Sequence, residues 1–65
     1  MTSREFRATL KRLGLSQAEV ARLFDVDVRT VERWAAGGVH GPDAILLWLL
    51  QAGIISLDDV EGVPA

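Results

Sequence analysis

Leu15–Gly38 reads LSQAEVARLFDVDVRTVERWAAGG. Two short apolar patterns of helical period lie within it, joined by only a few residues. Ser16-Gln17-Ala18-Glu19 has the form of a capping box. In that motif the hydroxyl accepts from an amide of the first turn and the glutamate reaches back to the cap's own amide. Val20, Leu23 and Phe24 follow at helical spacing with Ala21 between them, and the pattern ends near Asp25. Asp27 is placed to cap a following helix, Val28 to about Ala36, with Val31 and Trp34 as its inward positions. Gly37 and Gly38 end it, one of them expected in the left-handed conformation. The turn between the helices needs a residue that tolerates positive φ, and Asp25 does so at more cost than glycine.

Working outward, a helix is expected over Ser3–Leu13. Thr2 or Ser3 is placed to cap it, Thr2 with Glu5 fits the capping box, and Gly14 stops it. Phe6, Leu10 and Leu13 form its inner face. Pro42 suits the first turn of a fourth helix, through Ala44–Leu50 to about Ala52, which Gly53 terminates. In the tail, Ser56 and Asp59 stand at capping-box spacing and allow one more turn, while Ile54 to Leu57 also reads as a short strand. The reading is a single all-α domain over 1–65, compact, with four to five helices. Its functional core is 16–37.

Charge is unevenly placed. The 65 residues carry a net charge of −2, yet all seven basic residues lie between Arg4 and Arg33, beside five acids. From Gly38 onward there are four acids and no Lys or Arg. Such asymmetry can mark a nucleic-acid face. A chain this short buries only about 60% of its unfolded surface, so its core is marginal. Disulfides and thiolate metal sites are excluded because there is no cysteine, and His40 is the only histidine. Charges interrupt the N-terminal segment, and Ala44–Leu50 is far short of the roughly 20 apolar residues that cross a bilayer. A cytoplasmic protein without membrane association is expected. With no glycine-rich phosphate loop and no nucleophile–base set, neither an enzyme nor a cofactor, metal or small-molecule ligand is implied.

Residues Gln17 to Ala36 resemble the helix-turn-helix of the lambda-repressor-like (Cro/C1, or XRE) family of DNA-binding regulators. LSQAEVARLF and DVRTVERWAAG are close to that family's usual wording, over about a third of the chain. The apolar positions, the small alanine, the caps and the tryptophan fall where the family has them. Asp25 departs from its usual glycine. The resemblance implies that the second helix of the pair lies in the DNA major groove with its N-terminal residues at base edges. Val28, Arg29, Thr30 and Arg33 are then the base-reading candidates. A bidentate arginine on guanine contributes roughly 1–3 kcal/mol of discrimination. Glu32 either accepts from a cytosine amine or pairs along the helix surface. The resemblance places Gln17 on the DNA backbone, with Ser16 and the amides of that helix start. Arg12 and Arg22 are assigned to phosphates, with Arg4, Arg7 and Lys11 as further candidates.

The fourth helix is apolar around most of its circumference, whereas a surface helix needs one stripe. Ile45, Trp48, Leu49 and Ala52 are expected to close the core. Leu46, Leu47 and Leu50, joined by Ile54 and Ile55, are expected to meet a second subunit, so that 42–61 is the dimerisation element. The alternative is a core helix wrapped by its own tail. Two recognition helices about 34 Å apart would read a near-palindromic double-stranded operator. A small homodimeric repressor follows, and the resemblance suggests autoregulatory, phage or operon contexts. The competing reading is a protein-interaction module, antitoxin-like, whose fourth helix binds another protein and whose DNA binding is secondary.

Overall fold

Each helix starts where the sequence supplies an acceptor, or a proline, for amides that no helical carbonyl can reach. In the computed structural model, which describes residues 1–61, the helices are α1 (Ser3–Leu13), α2 (Gln17–Phe24), α3 (Val28–Gly37), α4 (Pro42–Ala52) and α5 (Leu57–Glu61). The described residues hold no strand, and the fold is all-α. Both expected capping boxes form. The Glu5 amide donates to the Thr2 hydroxyl at 3.1 Å and the Thr2 amide to the Glu5 carboxylate at 2.9 Å. Ser16 and Glu19 repeat the pattern at 3.1 and 3.0 Å. The Asp27 carboxylate accepts from the Arg29 amide at 3.0 Å. Ser56 and Asp59 close a third box, which decides the tail for helix.

Three helices end in one way. The residue after the last turn turns left-handed, and the next amide donates to a carbonyl five residues back, a Schellman motif. The pairs are Leu15 to Leu10 at 3.0 Å, Val26 to Ala21 at 3.0 Å and Ile54 to Leu49 at 3.1 Å. Gly14 and Gly53 supply the left-handed residue for α1 and α4, and Asp25, at φ 53°, supplies it for α2.

α3 ends differently from expectation. Gly37 is its last helical residue, and Gly38 sits at φ 95°, ψ 173°, a conformation open to glycine rather than the left-handed helix. The reason is non-local. Met1 and Val39 exchange two backbone hydrogen bonds, at 3.0 and 2.9 Å, which draws the Met1 carbonyl to within 2.7 Å of where a Gly38 Cβ would stand.

The core joins α1–α4. Phe6, Val20, Val31 and Leu47 are each fully buried, with Leu10, Ala21, Val39 and Ala44 around them. Val39, a loop residue by sequence, is one of these core residues. Trp34 packs edge-on against Phe6 (centroids 5.9 Å apart) and Phe24 (5.8 Å), and so locks α3 to α1 and α2. Such pairs contribute about 0.5–1.5 kcal/mol beyond their area. The radius of gyration, 10.8 Å, is close to the ~10.5 Å of a compact chain this long.

The division of α4 into two apolar faces is as expected, but their roles are exchanged. Leu47 (0% exposed) and Leu50 (4%) are buried, so they are not available to a second subunit. Ile45 (61%) and Trp48 (40%) face solvent, with Ala52 exposed and Leu49 half-buried beside them. One polar bond helps fix this rotation: the buried Thr9 hydroxyl donates to the Glu5 carbonyl at 2.8 Å and pairs with the side-chain amide of Gln51 on α4. With Gln51 turned toward α1, Leu47 and Leu50 go inward and Ile45 and Trp48 outward. Ile54 is exposed, and Leu46 and Ile55 are half-buried.

Candidate nucleic-acid interface

α3 divides cleanly by the 100° step of a helix. Val31 is buried and Trp34 and Ala35 pack on the core, which leaves Val28, Arg29, Glu32, Arg33 and Ala36 exposed on the other side. Val28 is 40% exposed although it is apolar. Arg29 and Arg33, one turn apart, have Cβ atoms about 6 Å from one another on an ideal helix. Thr30 was expected on this face. It is half-buried, because the step beyond Arg29 turns it toward the inner side. Glu32 takes its place near the centre of the face. The signal for this was available in the sequence, since residue 32 lies within the arc spanned by 28, 29 and 33.

The start of α3 is held by Asp27, whose carboxylate is occupied by the Arg29 amide. Arg29 therefore leaves the first turn of an anchored helix. The start of α2 is held in the same manner. Hydrogen bonding from the Ser16 amide, then the Ser16 hydroxyl, keeps the Glu19 carboxyl below its ordinary pKa, with help from the nearby Arg22 charge. The Ser16 oxygen accepts from the Glu19 amide, and the Ser16 amide and hydroxyl are both turned to the Glu19 carboxylate. The amides of Gln17 and Ala18, in the first turn, have no intrahelical acceptor. Gln17 and Ala18 are exposed, so these two amides remain as donors at the start of α2.

The α3 face itself is nearly neutral, since Arg29 and Arg33 stand beside Glu32 and Asp27. Positive charge collects instead on α1. Arg4, Arg7, Lys11 and Arg12 are all exposed at helical spacing on one side of it. Glu5, their acidic neighbour, has its carboxylate committed to the Thr2 amide, which with the Thr2 hydroxyl lowers its pKa. Arg12 thus belongs to a basic stripe. Arg22, the other assigned phosphate contact, lines a cleft between α2 and the α4–α5 segment that Glu19, Asp43 and Asp59 also line.

The chain matches no protein-family model, no curated protein and no solved structure. Among the described residues no helix is long and apolar enough to cross a membrane.

Proposed function

We propose that this chain is a sequence-specific, double-stranded-DNA-binding regulator of the lambda-repressor-like helix-turn-helix type. It acts as a small homodimeric repressor that occupies an operator. The observation that carries this reading is the face of α3: two arginines one turn apart, exposed, on a short helix whose start is capped and whose back is braced by Trp34. Inserted in a major groove, Arg29 and Arg33 donate to guanine O6 and N7, and Val28 meets a thymine methyl. Glu32 suits the amine of cytosine. The free amides of α2 with Gln17, and the α1 stripe with Arg12, hold phosphates and set the register without reading bases. Thr30, at the flank, is left to a phosphate.

The dimer contact moves to the exposed stripe of α4: Ile45, Trp48, Leu49 and Ala52, continued by Ile54. That stripe carries no charge, so two copies meet about a two-fold axis without like-charge repulsion. Selection of bound sequences from a random duplex pool tests the reading. The expected product is a near-palindrome with guanine in each half-site, half-sites one helical turn apart, and affinity that falls steeply as salt rises. Enrichment without base preference, or no retained duplex at low salt, overturns it.

A further inference from the structure

α2, α4 and the tail leave one open cleft of about 1040 Å³ between them. Its floor is Leu23 and Phe24 of α2, Leu46 of α4, and Ile55, Leu57 and Val60 of the tail. All six are half-buried, so each gives one side to the protein and the other to the cleft. The space lies at the upper end of the ~300–1,000 Å³ range of ligand pockets. Its rim carries the carboxylates of Glu19, Asp25, Asp43 and Asp59 against a single cation, Arg22. Two of those carboxylates are fixed in place, Glu19 by the Ser16 amide at 3.0 Å and Asp59 by the Ser56 amide at 2.8 Å.

We propose that this cleft docks a basic amphipathic helix from a partner protein. Apolar side chains spaced i, i+3 or i+4, and i+7 fill the floor, and flanking Lys or Arg residues meet the rim, the helix-in-groove mode of recognition. The walls are mostly helical, and the described residues present no sheet edge that would pair with a strand. A second copy of this chain does not fit the same chemistry. Its basic residues lie on α1–α3, whose apolar faces are spent in the core, and its free apolar stripe on α4 has no cation beside it. The inference stands apart from base reading, since the cleft uses none of the exposed face of α3, although it shares Arg22 with the phosphate contacts assigned to α2.

The test uses the full chain, labelled with ¹⁵N, titrated with a synthetic helix of leucine and lysine about five turns long. The counter-probe is the same peptide with every lysine replaced by glutamate. Saturable amide shifts at Leu23, Leu46, Ile55 and Leu57 are expected, with the glutamate peptide about tenfold weaker or more. The combined variant Glu19→Gln, Asp43→Asn, Asp59→Asn keeps an acceptor oxygen at both caps and should weaken the lysine peptide by about tenfold with unchanged circular dichroism. Leu46→Gln should weaken both peptides. Equal affinity of the two peptides, shifts confined to α1 or the α4 stripe, or no saturation overturns the proposal.

Discussion

Replacing Leu47 by alanine, beside the matching replacement of Ile45, measures which face of α4 belongs to the monomer. Leu47 is 0% exposed and touches the cluster around Phe6 and Val20, and Ile45 is 61% exposed. A leucine-to-alanine change at a fully buried site costs about 2–5 kcal/mol, the lost transfer energy plus the cavity left behind. A domain of this length has total stability of roughly 3–10 kcal/mol. Leu47→Ala should therefore remove about a fifth of it or more and lower Tm by at least about 8 °C. Ile45→Ala gives up little burial and gains roughly 0.4 kcal/mol of helix propensity, so the dilute monomer should change by less than about 0.5 kcal/mol. The assay is urea unfolding followed by circular dichroism in dilute solution, paired with sedimentation equilibrium at high concentration. Leu47→Ala should shift the unfolding midpoint, and Ile45→Ala should abolish self-association with the midpoint unmoved. Equal destabilisation by both substitutions would refute the reasoning, because it would mean that the stripe packs inside the monomer.

The adjacent glycines of α3 should respond in opposite directions. Gly37 is helical with nothing within 4 Å of a built Cβ, so Gly37→Ala should stabilise by about 0.4–1 kcal/mol. Gly38→Ala meets the Met1 carbonyl at 2.7 Å and a positive φ, and thermal melts should show a loss of about 2 kcal/mol or more. Asp25→Gly relieves a left-handed non-glycine residue and removes an anion from the negative end of α2, against a more flexible unfolded chain. A net gain of about 0.5 kcal/mol is expected by denaturant unfolding. The carboxyls of Glu5 and Glu19 are lowered from 4.5 in the folded state. Their contribution is therefore full above that value and lost as pH falls through the lower folded pKa. Tm against pH should fall at acid pH less steeply in a Glu5→Gln, Glu19→Gln variant than in the native chain.

What the sequence revealed is what is local. Thr2 with Glu5, Ser16 with Glu19 and Asp27 sit within three residues of the amides they cap, so the starts of the first three helices were legible by spacing. Pro42 marked the start of α4, and Gly14 and Gly53 marked two ends. The facing of α3 was nearly legible, because Val31 and Trp34 contrast with arginines. α4 lacked that contrast. From Ala44 to Leu50 every side chain is apolar, and a uniform cylinder has no phase for periodicity to reveal. Its rotation is fixed in part by Gln51 meeting Thr9, 42 residues away. Distance also hid the need for glycine at position 38, set by Met1, and the burial of Val39. Thr30 turned inward for a simpler reason: sequence proximity to Arg29 does not put a residue on Arg29's face. The cleft is formed by three separate segments and left no mark on any one of them.

The most direct test is fluorescence anisotropy on the selected duplex at fixed salt, comparing the native chain with Arg29→Ala and Arg33→Ala. Each substitution lies on an exposed position and should leave the fold intact. Each should weaken binding by about 5- to 150-fold and relax the preference for guanine at one position of each half-site. Affinity and base preference that survive both substitutions would contradict the assignment of α3 as the reading helix.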